Sequence, residues 1–303
     1  MAMQNLAVLV LCFAAGLLLR RTARMPEATP AALNGFIVHV GLPALTLHHL
    51  RHFSPDAGIA APLLMAWILF ALGAAFFLGA QRVFRWPAAT TGALILTGAL
   101  GNTAFIGLPM IECFFGREHL PLGILIDQLG TYVVLSTVGL FTAAMLSAGS
   151  LSPQAVLRRV FSFPPFLAVI AATVLAPVPF PEWLDAGLVR LGDTVAPLAL
   201  VSVGFQLRLG ALRAQWRPLA TGLGYKLLAG PLAILALLAA TVGLDSDTAR
   251  ITVFEAAMAP MIGGAIVAIE HKLDPDLVTL MVGIGIPLSF LTLPVWWYAL
   301  TGI

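Results

Sequence analysis

The sequence predicts an all-α polytopic membrane protein with ten transmembrane helices in two inverted five-helix repeats. Three observations predict it. The 303 residues are 60% hydrophobic and only 10% charged, with a mean hydropathy of +0.98, far outside the composition of soluble domains. Apolar runs such as 57–80 and 277–301 continue for more than 20 residues without a formal charge, enough to cross a hydrocarbon core of about 30 Å as a helix. Basic residues gather in alternate connections. A closed barrel would instead show short strands of alternating polarity.

The spans follow in order. The run 4–19 has the length of a signal-peptide core, but "MAMQN" carries no basic side chain and no small-residue cleavage pattern follows "RRTARMPEATP", so it is read as span 1. Charges, prolines and glycines then delimit 31–50, 57–80, 88–113, 121–147, 159–177, 187–207, 216–241, 249–269 and 277–301. The connections are too short for an extramembrane domain. Arg20, Arg21, Arg24, Arg82, Arg85, Arg158, Arg159, Arg208, Arg213, Arg217 and Lys272 follow odd-numbered spans, whereas the opposite side holds Arg51, Arg117, Arg190 and Arg250. This bias puts the odd connections in the cytoplasm and both termini outside it. Trp183, Trp216, Trp296 and Trp297 lie near predicted ends and fit interfacial anchoring.

Residues 1–152 and 153–303 each hold five spans, and an odd number of crossings reverses the second set. Span 2 ("FIVHVGLPALTLHHL") and span 7 ("LGDTVAPLALVSVGF") share a proline-centred core at Pro43 and Pro197. Span 4 ("GNTAFIGLPM") and span 9 ("EAAMAPMIGGAI") are both interrupted by small residues and proline. Proline removes a backbone donor and crowds the preceding turn. Unwound spans 4 and 9 crossing at midplane would bring helix ends and freed backbone groups together, able to hold an anion or a cation. Close packing by small residues is the plainer alternative.

Within this frame the polar residues are the candidates. Asn102 and Thr103 precede the break formed by Gly101, Gly107 and Pro109, placed to cap a resumed helix or to touch solute. Glu255 lies at membrane depth, either as a cation or proton site or as the partner of another polar group. Asp127 and Gln128, and Asp193 before Pro197, are open to the same two readings, and Pro260 marks the span 9 break. Lys226 could neutralise a carboxylate solute, pair with Asp127, Asp193 or Glu255, or snorkel. Tyr225 faces elsewhere. Glu112 reads as a solvated helix end, His39 as a packing residue, and His48, His49 and His52 as interfacial rather than metal-binding.

Other chemistries find no support. Cys12 and Cys113 lie in apolar runs and read as small buried residues, so neither a disulfide nor a metal site is expected. No hydrolase triad or phosphate loop stands out, and no cofactor is expected. The net charge of +2 rests on short loop clusters, so no nucleic-acid partner is expected.

"GNTAFIGLPM", "EAAMAPM" and "GIGIPLSFLTLPVW" resemble the auxin efflux carrier family, particularly its short bacterial members, and the resemblance runs from "NLAVLVLCFAAGLLLRR" to the last span. It implies ten helices in inverted repeats, with discontinuous helices 4 and 9 crossed. It also implies an elevator-like exchange between a scaffold of helices 1, 2, 6 and 7 and a transport domain of helices 3–5 and 8–10. Bile-acid/sodium symporters and sodium/proton antiporters are similar in fold. The family's crossover falls on Asn102 and Thr103, with the break at Gly107 and Pro109 and the counterpart around Ala259, Pro260 and Glu255. Plant members carry proline-and-asparagine crossovers and a long cytoplasmic loop. Span 9 here has no Asn and the central connection is short, so auxin specificity does not carry over.

The resulting expectation is a secondary active transporter of small, malonate-like organic anions, not an enzyme, with H+ or Na+ as coupling ion. The alternative is coupled transport of a larger amphipathic acid, or cation/proton exchange. The expected setting is the lipid bilayer of a bacterial inner membrane, with a homodimer supported by small residues on spans 1, 2, 6 and 7.

Overall fold

The computed structural model describes residues 2–22, 25–51, 57–147, 154, 158, 161–206 and 212–302. His52, Arg24, Arg159 and Arg208 lie outside the described residues. Twelve helices run through the rest: α1 (Ala2–Arg21), α2 (Thr29–Leu50), α3 (Ala60–Phe84), α4 (Ala88–Gly98), α5 (Thr103–Phe114), α6 (Arg117–Leu146), α7 (Pro164–Leu175), α8 (Glu182–Gln206), α9 (Gln215–Thr241), α10 (Asp247–Ala256), α11 (Ile262–Glu270) and α12 (Pro275–Thr301).

Six of these, α2, α3, α6, α8, α9 and α12, are long and apolar enough to cross a membrane. The expectation of ten transmembrane helices in two inverted five-helix repeats is therefore corrected: the protein is all-α and polytopic, with six such spans among its described residues. The reason is that apolar length does not guarantee an unbroken hydrogen-bond ladder. The run at 88–113 is interrupted at 99–102, and the run at 249–269 at 257–261. The pieces α4, α7, α10 and α11 have 11, 12, 10 and 9 residues. At 1.5 Å per residue the longest covers about 18 Å, well short of the hydrocarbon core.

The motifs paired between the two sequence halves also behave differently. Pro43 sits inside α2, two residues beyond a π-turn at Ile37–Gly41. Pro197 instead follows a turn at Asp193 and Thr194 within α8, Asp193 being the residue whose carbonyl its ring would crowd. Pro109 lies in α5 beyond a π-turn at Thr103–Gly107, whereas Pro260 lies in extended chain. A third π-turn, Tyr225–Ala229, again ends two residues before a proline, Pro231. Widening the turn makes room for a ring that has no N–H to offer the carbonyl four residues back.

The chain divides into two compact units, with boundaries at Thr103/Ala104 and between Gln128 and Leu129, inside α6. The first comprises 1–56, 104–128 and 158–207. There α1 packs on α8, and α2 on α7 and α8. The Ser202 hydroxyl donates to Asn34 Oδ1 at 2.7 Å, and Arg51 donates to the Val178 carbonyl while lying 3.5 Å over the Phe180 ring.

The second unit comprises 57–103, 129–157 and 208–303. Its centre is α4, whose residues 90–98 are all buried among α3, α9, α11 and α12. Small and threonine side chains in "AATTGALILTG" let neighbours approach, and the Thr97 hydroxyl is satisfied by the Ala93 carbonyl at 2.6 Å. Asp274 caps α12 and also accepts from Thr90 and Gln215. Trp296, expected at an interface, is buried.

Candidate functional site

In the second unit the two interruptions meet. Gly101 and Pro260 form an isolated antiparallel bridge, and the Asn102 N–H donates to the Ala259 carbonyl at 2.8 Å. Prolines and glycines end α4 and α10 here, and the freed backbone pairs across the gap instead of along a helix. Gly101 allows the close approach: a Cβ on it would lie 3.2 Å from both the Glu255 carbonyl oxygen and Lys226 Nζ, so one neighbour would have to give by a few tenths of an ångström. Asn102, Thr103, Lys226 and Glu255 are all buried beside this bridge. A narrow crevice lined by Gly101, Thr103, Thr131 and Glu255 has no volume for a water-sized sphere.

Lys226 reaches this point from α9. Its ammonium donates to the Ala256 carbonyl at 2.8 Å, the acceptor four residues before Pro260 and the last residue of α10. The cation thus sits at the negative end of a half-helix, where no helical N–H is available. Glu255, the residue before Ala256 in α10, is fully buried at the same break. Tyr225, the adjacent residue, points elsewhere: its phenol donates to the Leu69 carbonyl at 3.0 Å and its ring stacks on Phe76.

The remaining candidates lie in the first unit. Gln128 is fully buried in a π-turn over Ile126–Thr131 and donates to the Thr46 hydroxyl at 2.8 Å, with Asp127 buried beside it in sequence. Asp193 pairs with Arg117, whose Nε also contacts Glu112 at 2.9 Å. These three residues line a cavity of about 340 Å³, together with Leu9, Leu45, Pro109 and Pro197. Gly107 closes the π-turn that precedes Pro109. A smaller adjoining cavity is lined by His48, His49, Arg117 and Asp193, and His48 Nδ1 lies 2.9 Å from Asp185.

Sequence reasoning missed Arg117, counting it only as a loop charge, and treated Glu112 as a solvated helix end. The available signal was "ECFFGRE": Gly116 adopts φ +101°, a conformation glycine alone takes easily, and so turns Arg117 back toward Glu112. Among the described residues no group of three His, Cys, Asp or Glu side chains could hold a metal ion.

The chain is similar in sequence to two archaeal proteins described as transporters. An uncharacterized transporter of Methanothermobacter thermautotrophicus is 28% identical over 300 residues, spanning 96% of this chain and 95% of that protein. An uncharacterized transporter of Methanocaldococcus jannaschii is 25% identical over 198 residues, 62% of this chain and 63% of that one. The family model described as "Membrane transport protein" matches residues 1–297, nearly the full length of the sequence. The chain therefore belongs to the membrane transport protein family, a family of transporters rather than enzymes.

Proposed function

We propose that the protein is a secondary active transporter of small organic anions, malonate-like carboxylates among them, and that it resembles the short bacterial auxin efflux carriers in this role. The observation that carries the reading is the buried Lys226 ammonium on the Ala256 carbonyl, beside Glu255 and the Gly101–Pro260 bridge. A buried cation at two helix breaks offers an anion its counter-charge, and Asn102 and Thr103 add short polar groups at the same place.

The site is too tight for solute in this conformation, so entry requires a movement of the chain around it. An elevator-type exchange between a scaffold and a moving domain supplies one. One of the two compact units holds α3, α4 and α9–α12, all in the moving part of that reading, whereas α5 and the first part of α6, which the reading also counts as moving, group with the other unit.

Lys226 also bears on the coupling ion. Carbonyls at the C-terminal end of a half-helix are common cation ligands in transporters, and here the Ala256 carbonyl already holds an ammonium. That favours H+ over Na+. The proposed location is a bacterial inner membrane. A homodimer would use exposed apolar faces such as Leu167, Ile170 and Val174 of α7.

The test is radiolabelled malonate flux into liposomes containing the purified protein, under separately imposed H+ and Na+ gradients. Flux driven by the H+ gradient and abolished in Lys226→Met is the expected result. Cation movement without any carboxylate present would instead favour a cation/proton exchanger.

A further inference from the structure

The cavity of the first unit carries a charge imbalance that the crossover does not explain. Arg117 is one cation held by two carboxylates, Glu112 on α5 and Asp193 on α8. The other titratable groups facing this region are Cys12 from α1, His48 and His49 from α2, Cys113 from α5 and Asp185 from α8, and Glu118 and His119 follow Arg117 in the chain. Around Arg117 two carboxylates face one guanidinium. A guanidinium nonetheless remains a strong carboxylate ligand.

We propose that this cavity is a second, proton-linked carboxylate site, in which a small organic acid displaces Glu112 from Arg117 and the released Glu112 takes up one proton from solution. The inference rests on the anion-transport reading and adds to it a site, a proton acceptor and a stoichiometry. A third carboxylate brought to a guanidinium that already holds two adds uncompensated negative charge, which raises the affinity of the displaced carboxylate for a proton. Glu112 is the one that protonates because its side chain is 32% exposed, against 45% for Asp193, so water compensates its loss of partner less well. The balance is simple. One ion pair breaks, one forms, and one proton moves from solvent to the Glu112 carboxylate.

The cavity has the size for this ligand class. Its about 340 Å³ lies at the lower end of small-molecule sites, and Leu9, Leu45, Leu108 and Leu120 add apolar wall to it. Pro109 and Pro197 also line it, so two of the helix distortions described above shape its wall.

The experiment is equilibrium binding of propionate and of malonate to the purified full-length protein across pH, with proton uptake read by a pH-sensitive dye. Propionate affinity rises by up to about tenfold for each unit that pH falls, within the window between the Glu112 pKa of the free protein and its raised pKa in the complex, and levels off on either side of that window. Glu112→Gln is expected to bind with little pH dependence and to release the dye signal to baseline. Arg117→Gln should lose binding at all pH values, and Arg117→Lys should recover part of it.

Wild-type protein that binds carboxylate without taking up a proton overturns the inference, and that measurement needs no variant. So does an unchanged pH slope in Glu112→Gln, or failure of both acids to bind. If carboxylate flux persists in liposomes while the pH linkage is absent, this site is wrong and the transport reading stands. Proton-linked binding without flux of any carboxylate would sink the transport reading and leave the site.

Discussion

Trp296 donates its indole N–H to the Leu227 carbonyl at 2.9 Å, and Leu227 is the residue four positions before Pro231. The proline leaves that carbonyl without its helical donor, and a tryptophan on α12 replaces it. Trp296→Phe keeps the ring but removes the donor, and is expected to destabilise the protein by about 1 kcal/mol. Thermal unfolding in detergent measures it. Trp183→Phe is the comparison, since Trp183 is 75% exposed and its replacement should shift stability by less than about 0.5 kcal/mol. Equal effects of the two would mean the indole donor contributes nothing.

Lys226 and Glu255 should behave as a coupled pair. Lys226→Met leaves a fully buried carboxylate without its cation and strips the Ala256 carbonyl of its donor, so a loss of about 3–5 kcal/mol is expected. Adding Glu255→Gln removes the stranded charge and should restore much of that loss. Additive destabilisation in the double variant would show that the two side chains act independently.

How much of this was legible in the sequence differs between residues. In "GNTAFIGLPM" the interruption falls at 99–102, taking in Gly101, while Gly107 and Pro109, expected in the break, lie within the helix Thr103–Phe114; in "EAAMAPM" the interruption at 257–261 contains Pro260. The number of spans was not legible, since hydropathy measures apolar length and not hydrogen-bond continuity. The Arg117 cluster was hidden for another reason: Asp193 is 76 residues from Arg117, and only the packing of α8 brings them together. Trp296 misled because its position near a chain end resembles an anchor, while its donor is needed by a proline in α9.

Gly101→Ala tests the tightness of the crossover. The added methyl meets Lys226 Nζ and the Glu255 carbonyl at 3.2 Å, and the flexible lysine must retreat because the backbone oxygen is fixed by α10. The expected outcome is a folded protein with malonate flux reduced about tenfold or more, given how steeply positioned sites respond to small displacements. Gly224→Ala is the control, because a Cβ there meets nothing within 4 Å. Normal flux in Gly101→Ala would show that the Lys226 ammonium need not sit against the bridge.

Asp274 joins three helices through one carboxylate. Oδ1 accepts from the Leu277 N–H at 3.3 Å and from Gln215 Nε2 at 3.1 Å, while Oδ2 accepts from the Thr90 hydroxyl at 2.7 Å. Thr90, Gln215 and Leu277 stand near the starts of α4, α9 and α12, so the anion also lies close to three positive helix ends. Asp274→Ala removes a cap and two side-chain bonds, and about 2–3 kcal/mol of destabilisation is expected. Asp274→Asn keeps one acceptor oxygen for the Leu277 N–H and Gln215, and turns its NH2 toward Thr90, whose hydroxyl oxygen can accept from it, so it loses the charge but not the cap and its cost should be smaller. The ordering Ala worse than Asn, read from unfolding in detergent, separates hydrogen bonding from charge. If Asn were as damaging as Ala, the negative charge facing the three helix starts would be the larger contribution, and raising the salt concentration should then weaken the wild-type protein toward the Asn variant.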